Sequence, residues 1–114
     1  MAAFERYEAI DLTTVGNFVD VDVSDADQMT AVARDTQTWG SGVVELRRLI
    51  GGDTIAYSPA KVLSAASPAL DSLSVEDVSG VRLVVTTAGS GYGRVAFAGK
   101  VRDASSRIVS GGAP

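Results

Sequence analysis

The chain has 114 residues, which suits one domain and is too short for two ordinary ones. Apolar residues make up 46% of the sequence, enough to build a packed core, so a wholly disordered chain is excluded. The 10 basic residues are dispersed and are outnumbered by 14 acidic ones, which leaves a net charge of −4 and argues against a nucleic acid as partner.

Two residue types are missing, and their absence narrows the chemistry open to the protein. Without cysteine there are no disulfides and no thiolate nucleophile. Without histidine the commonest general base and the commonest transition-metal ligand are absent. We therefore predict a protein that is not an enzyme and that has no catalytic residue, cofactor or metal site. No stretch approaches the roughly 18 apolar residues of a membrane helix, so no membrane is expected as a partner.

Alternation of apolar and polar residues predicts a series of strands. The first is expected near residues 5–12, with Tyr7 and Ala9 facing inward together with Ile10. Further alternating segments are Val19–Val23, Met29–Arg34, Gly42–Leu49, Val81–Thr87 and Arg94–Arg102, with a short strand at Ile55 and Tyr57. The predicted core comprises Val21, Met29, Ala31, Val44, Leu46, Leu83, Val85, Val95 and Phe97.

The segments between these strands contain turn-forming residues. Gly51-Gly52 between two apolar runs predicts a tight hairpin, and Gly89–Gly93 predicts a flexible hairpin between two long strands. Lys61–Leu73 is interpreted as a strand or turn that leads into a long loop, with room for a short helical turn, because Pro68 would break a helix.

Strands of this length at this spacing predict an all-β fold. We expect an antiparallel β-sandwich of about seven to eight strands, either jelly-roll or immunoglobulin-like. The sandwich would span residues 1–102, and the Ser-, Gly- and Ala-rich residues 103–114 would form a flexible C-terminal arm.

Four aspartates that lie close together in the sequence are a candidate cation site. Asp20, Asp22, Asp25 and Asp27 supply oxygen ligands at a density that suits Ca²⁺, but the glycine and terminal glutamate of a calcium loop are missing. The pattern favours Asp20 and Asp22 on the wet face of a strand and the other two in a turn.

Three further features do not predict a binding or catalytic site. Gly89–Gly93 is followed by a strand rather than a helix, so it does not predict a phosphate loop. Trp39, the single tryptophan, is expected to fill the core with its indole N–H bonded, rather than to serve as a sugar platform. The carboxylates Glu45, Glu76 and Asp77 are not placed as a catalytic pair by any pattern.

One longer pattern resembles a known class of proteins. The run Trp39–Arg48 leads into the turn Gly51–Asp53 and the strand Thr54–Tyr57, and Val75–Ala88 follows later. This order resembles small β-sandwich virion proteins of tailed bacteriophages, in which a strand, an Asp/Gly hairpin and a strand precede a Val-Ser-Gly, Val-Arg-Leu strand. The chain departs from the pattern after the glycine hairpin, where Ile55-Ala56-Tyr57 stands at the usual aromatic position.

The resemblance implies a virion structural protein, foremost a capsid decoration (cement) protein. Such a protein would be made in the host cytoplasm, form a homotrimer or homodimer, and bind the major capsid protein on the capsid surface. The alternatives are a phage tail, neck or fibre accessory protein and a carbohydrate-binding module with Trp39, Tyr57 or Tyr92 as its platform. The predicted protein-contact residues are Phe4, Arg6, Tyr7, Tyr92, Arg94, Arg107, Ile108 and Val109.

Overall fold

The computed structural model describes residues 3–23, 26–75 and 78–101. Within these residues the chain forms eight strands and one short 3-10 helix. The elements are β1 (Ala3–Asp11), β2 (Phe18–Asp22), β3 (Ala26–Arg34), the 3-10 helix (Thr36–Thr38), β4 (Val43–Ile50), β5 (Asp53–Ser64), β6 (Ala69–Ser74), β7 (Gly80–Thr87) and β8 (Tyr92–Val101). The prediction of an all-β fold is confirmed.

The strands form two four-stranded sheets with the orders β1-β8-β3-β6 and β2-β7-β4-β5. All neighbouring strands run antiparallel. Strand β4 pairs with β5, β3 with β6, β2 with β7 and β1 with β8, so the chain is one long hairpin that has been rolled into two layers. This arrangement is the jelly roll, and it decides between the two sandwich types that the sequence left open.

The turn at the centre of this rolled hairpin is the one predicted at Gly51-Gly52. Ile50 lies opposite Asp53, and the two glycines have φ angles of 59° and 91°. Positive φ at both central residues matches the twist of the flanking strands and strongly favours glycine.

The core lies between the two sheets and contains every residue predicted for it. All nine are at most 2% exposed: Val21, Met29, Ala31, Val44, Leu46, Leu83, Val85, Val95 and Phe97. Trp39 is 0% exposed, and its Nε1 donates to the carbonyl oxygen of Arg34 at 3.0 Å. The prediction of a core tryptophan with a bonded indole N–H is therefore confirmed.

Glycine is required where the backbone touches this tryptophan. A Cβ at Gly93 would lie 2.7 Å from Cε2 and 2.8 Å from Nε1 of the Trp39 indole. A Cβ at Gly89 would lie 2.4 Å from the Trp39 carbonyl oxygen. The start of β8 therefore packs directly on the indole, and the loop before it packs on the Trp39 backbone.

The prediction for the first strand is partly wrong. Tyr7 is 68% exposed and Ala9 is exposed, whereas Ile10 is 1% exposed. Neighbouring residues of a strand face opposite sides, so Ala9 and Ile10 cannot both point inward. The strand buries Ile10 with Leu12 and turns Tyr7 and Ala9 to the outside.

Two predicted loops are also different in the structure. Residues 88–91 do not form a hairpin, because β7 and β8 belong to different sheets and the segment crosses between them. The stretch Lys61–Leu73 contains no long loop or helical turn: β5 continues to Ser64, and β6 begins at Ala69 after a short connection. The proline-containing sequence is tolerated since Pro59 lies in a bulge of β5 and Pro68 precedes β6.

A bulge in β5 lies along one edge of the sandwich, where β5 and β6 are the last strands of their sheets. Leu46 lies opposite Lys61 and Arg47 opposite Ala56, so residues 57–60 leave the ladder. The Tyr57 hydroxyl donates to the carbonyl oxygen of Ser74 at 2.9 Å, which ties β5 to β6 across the two sheets. Burial raises the pKa of Tyr57 above its ordinary value, and the Arg48 guanidinium lies 5.0 Å from the ring centroid.

On the outer face of the second sheet, Asp20 and Arg82 form a bidentate pair with distances of 2.7 and 3.0 Å. The guanidinium also lies 4.1 Å from the centroid of the Phe18 ring. The hydrogen bonds from Arg82 hold the pKa of Asp20 below its ordinary value. Asp20 and Asp22 are exposed, as predicted for the wet face of a strand.

We predict that Gly93→Ala destabilises the fold by about 1–3 kcal/mol, because the added methyl group overlaps the indole. Gly91→Ala is the matched control, since a Cβ there would meet only one atom, at 3.9 Å. Its effect should stay within about 0.5 kcal/mol. Chemical denaturation of both variants measures the difference, and equal stability would contradict this account of the Trp39 site.

We predict that Asp20→Asn lowers the stability slightly at neutral pH. The folded pKa of Asp20 lies below the ordinary 3.8, so its stabilising effect is present above that value and disappears as the pH falls through the folded pKa. Thermal melts from neutral pH down to about pH 2 should therefore converge for the two proteins. In an Arg82→Gln background, Asp20→Asn should have no pH-dependent effect on stability. If the pH-dependent effect persists there, the Asp20–Arg82 pair is not its cause.

Candidate protein-contact face

The outer face of the sheet β1-β8-β3-β6 carries a continuous apolar row. Tyr7 lies opposite Ala96, Ala96 opposite Val32, and Val32 opposite Ala69, so the row crosses all four strands. Three of its members have short side chains, which keeps the surface low beside the exposed tyrosine. A surface of this kind allows another backbone to approach closely, and apolar patches exposed on one face mark interaction sites.

The next row of the same face contains two arginines. Arg94 lies between Ala9 on β1 and Arg34 on β3, and both arginines are exposed. Side chains directly opposite each other have Cβ atoms about 4.5–5.5 Å apart, and like charges there are destabilising. We call Arg34 and Arg94 the arginine pair.

One carboxylate accompanies the arginine pair. Oδ2 of Asp35 lies 3.7 Å from Nε of Arg94, with the two side chains 55% and 73% exposed. Within the described ranges, Arg34 has no carboxylate at ion-pair distance. Elsewhere Arg47 lies 2.9 Å from Glu45 and Arg82 lies 2.7 Å from Asp20. The arginine pair therefore carries positive charge that the surrounding structure balances only in part.

The backbone of Asp35 has an unusual conformation, which neighbouring hydrogen bonds stabilise. Its φ and ψ of 54° and 51° are left-handed, a conformation that non-glycine residues rarely adopt. Thr38 stabilises it, because its backbone N–H and its hydroxyl reach the Asp35 carbonyl oxygen at 3.0 and 2.8 Å. The same hydroxyl lies 2.8 Å from the Tyr92 carbonyl oxygen, so the turn after β3 is fastened to β8.

Two adjoining depressions surround Arg94 and Asp35. The first has a volume of about 480 Å³ and is also lined by Tyr7, Glu8, Ala9, Arg34 and Val95. The second has a volume of about 520 Å³ and is also lined by Gln37, Ser90 and Tyr92. Volumes of this size are typical of sites that hold a small ligand or a few residues of a partner. We call the two depressions together the arginine cleft, with Tyr7 on one side and Tyr92 on the other.

The structure brings three of the predicted contact residues together, namely Tyr7, Tyr92 and Arg94. Arg6 is exposed, but it lies opposite Phe97 and so belongs to the other face of β1. The backbone of Phe4 pairs with Gly99, and its side chain lies outside the described part of the chain. Arg107, Ile108 and Val109 also lie outside the described residues. Contact of these residues with a partner stays a prediction.

The cation candidates are not assembled into a site in the described part of the chain. Asp20 is paired with Arg82, while Asp25 and the side chain of Asp27 lie outside the described residues. No group of three or more His, Cys, Asp or Glu residues that could hold a metal occurs within residues 3–23, 26–75 and 78–101. Glu45 pairs with Arg47, and Glu76 and Asp77 lie outside the described residues. In the described residues, no helix has the length and apolar character needed to cross a membrane.

Sequence reasoning missed Arg34 and Asp35 as members of the site. Alternation within β3 does place Arg34 on the wet face, opposite to Ala31 and Ala33. Its closeness to Arg94 depends on the pairing of β3 with β8, in which Arg34 lies opposite a residue 60 positions further along the chain. No local pattern contains that information.

No protein-family model and no curated protein matches the sequence. Several solved structures are similar to it at low identity. A protein of the Bacillus endospore appendages, which form disulfide-linked pili, is 19% identical with a TM-score of 0.45, over 87% of this chain and 88% of that chain. The SPBc2 prophage-derived protein YomS is 8% identical with a TM-score of 0.48, over 83% of this chain and 93% of that chain.

An enzyme has the same degree of likeness. The dTDP-6-deoxy-D-glucose-3,5-epimerase RmlC from Legionella pneumophila is 9% identical with a TM-score of 0.46, over 83% of this chain and 46% of that chain. An appendage protein, a prophage protein and an epimerase have little function in common. At this level of identity, the likeness concerns the fold and assigns no function to this chain.

We predict that Arg34→Gln raises the stability of the fold by roughly 0.2–1 kcal/mol at low ionic strength, because it removes a like-charge pair from opposite positions. Added salt should diminish the gain, since exposed charges are screened. Denaturant titration at low and high salt measures both effects. Loss of stability, or a gain that does not depend on salt, would show that the two arginines do not repel each other.

Proposed function

We propose that the protein is a non-catalytic virion structural protein that associates with itself and decorates a capsid shell. The observation that supports this proposal is the composition of the exposed face formed by β1, β8 and β3. Tyr7, Tyr92 and the arginine pair lie there beside a row of small apolar side chains. Tyrosine and arginine are enriched in protein interfaces, where a few such residues provide most of the binding free energy.

The fold also suits such a role. Jelly rolls are among the architectures used by viral capsid proteins, and they leave sheet edges and one broad outer face available for contacts. The sequence pattern of Trp39–Tyr57 and Val75–Ala88, which resembles small phage virion proteins, leads to the same proposal. We propose the major capsid protein as the partner and the capsid surface as the location; a tail, neck or fibre role is the nearest alternative.

Carbohydrate binding is a second candidate, because one exposed tyrosine lies beside polar groups. Tyr92 is 64% exposed and borders the depression that Gln37 and Ser90 also line. Trp39 is buried and cannot act as the platform, and Tyr57 is occupied by its contacts with Ser74 and Arg48. A sugar site would therefore have to rely on Tyr92 and Tyr7 alone.

We predict that replacing Tyr7 and Tyr92 with alanine weakens self-association or binding to shells by at least about tenfold, because both side chains are exposed on the proposed interface. Light scattering measures the mass in solution, and co-sedimentation with empty capsid shells measures binding. Phe18→Ala is the matched control, since Phe18 is 54% exposed but lies on the other sheet.

The outcomes separate the candidates. A defined oligomer that co-sediments with shells and is lost only in the tyrosine variant supports the proposal. Binding to isolated tail components instead of shells would move the role to the tail or neck. A monomer that binds neither, and that binds soluble glycans through Tyr92, would replace the proposal with the carbohydrate-binding candidate.

A further inference from the structure

The hairpin between β4 and β5 extends beyond the strand that flanks it. The last pair between β4 and β7 is Leu49 with Gly80, so residues 50–53 extend beyond the end of β7, whereas Thr54 and Ile55 lie opposite Leu49 and Arg48, which pair with β7. A Cβ at Gly51 or at Gly52 would meet no atom within 4 Å. We call residues 50–55 the hairpin tip.

One face of the hairpin tip combines a carboxylate with two isoleucines. Ile50 lies opposite Asp53, and Ile55 is two residues further along the strand, so the three side chains share a face. Ile50 and Ile55 are 40% and 42% exposed, and Asp53 is exposed. The hairpin tip therefore presents a carboxylate between two half-exposed apolar side chains to any partner that reaches it.

The hairpin tip and the arginine cleft lie at opposite ends of the sandwich. Strand β7 has Gly80 beside Leu49, close to the tip, and Thr87 beside Val43 at the other end. Thr87 leads through residues 88–91 to Tyr92, so Tyr92 and the arginine cleft lie at the end away from the tip. One copy can therefore offer its tip to the cleft of another copy without using its own cleft.

The two surfaces are complementary in apolar character and at one arginine. Tyr7 and Tyr92 flank the cleft and can cover Ile50 and Ile55, which flank Asp53. Glu8 and Asp35 line the cleft together with Arg34 and Arg94, and Asp35 lies 3.7 Å from Arg94. Arg34 has no carboxylate at ion-pair distance in the described part of the chain, so Asp53 of a second copy would give it a partner and relieve the repulsion within the arginine pair.

We propose that the hairpin tip of one copy binds in the arginine cleft of the next, with Asp53 paired to Arg34 and Arg94. This inference rests on the proposed function and adds the geometry of self-association. Because the two surfaces are different, the contact is head-to-tail, and successive copies form a closed ring or an open filament according to the rotation between them.

The test uses charge reversal on each surface. Asp53→Lys should prevent binding through the hairpin tip, and Arg94→Glu should prevent binding through the arginine cleft. Each variant alone should remain monomeric at concentrations at which the wild type is assembled, because like charges across an interface oppose binding strongly. An equimolar mixture should regain assembly, since the tip of the arginine variant fits the cleft of the aspartate variant, and the lysine introduced at position 53 of one is opposite in charge to the glutamate introduced at position 94 of the other. Sedimentation velocity measures all three samples.

Two control variants match the change in charge. Asp71→Lys alters an exposed aspartate on β6, and Lys61→Glu alters a lysine on β5; neither residue belongs to the tip or the cleft. Both should assemble as the wild type does. Circular dichroism and thermal melts confirm that each variant is folded before its mass is measured.

Other outcomes would overturn the inference and are distinct from failure of the proposed function. Assembly that is lost in Arg94→Glu but intact in Asp53→Lys would leave the contact face in use and exclude the tip as its partner. Assembly that survives both reversals would exclude the tip and this part of the face. A wild type that stays monomeric yet binds shells through Tyr7 and Tyr92 would exclude self-association while the decoration role stands.

Discussion

The register of β8 is the constraint on which both the core and the contact face depend. This strand lies between β1 and β3, and its residues alternate between the two sides of the sheet. Val95 and Phe97 are buried, whereas Arg94 and Ala96 occupy the outer face. A slip of one residue would exchange the two sets, burying a guanidinium and exposing a phenyl ring, so the packing of the core also aligns the arginine cleft.

Trp39 connects this register to the loops at the same end of the sandwich. Its indole packs against Gly93 at the start of β8, and its carbonyl oxygen lies close to the backbone at Gly42 and Gly89. A well-packed tryptophan cannot shift without displacing these segments. Thr38, the neighbour of Trp39, makes hydrogen bonds to the carbonyl oxygens of Asp35 and Tyr92, so the turn after β3 and the start of β8 are joined beside the buried indole.

Both sheets set two arginines opposite each other, but the arginines differ in their carboxylate partners. In the second sheet Arg47 lies opposite Arg82, and each has a carboxylate at 2.9 or 2.7 Å, namely Glu45 and Asp20. In the first sheet Arg34 lies opposite Arg94, and within the described residues only Arg94 has such a partner, Asp35 at 3.7 Å. Like charges on opposite positions destabilise a sheet unless other charges compensate them. This difference, together with the exposed tyrosines, is the basis on which contact with a partner is proposed for the first sheet.

Alternation along the chain was sufficient to predict the strands, most of the core and the turn at Gly51-Gly52, because a strand with one buried face has a period of two residues that is visible locally. The burial of Trp39 also followed from its size and its single polar atom. Local pattern failed where two adjacent residues competed for the inside, as Ala9 and Ile10 did in β1. It also failed for residues 88–91, since a short polar link looks the same whether it joins strands in one sheet or in two.

Only the tertiary structure decided which distant residues share a surface. Arg34 and Arg94 meet because β3 pairs with β8, and Tyr7 joins them because β1 pairs with the other side of β8. Such pairings between segments far apart in the chain are selected by the burial of the whole core. No single segment contains enough information to predict them. The amino-acid sequence by itself therefore determined the strands and their inward faces, while the rolled pairing of those strands determined the contact face.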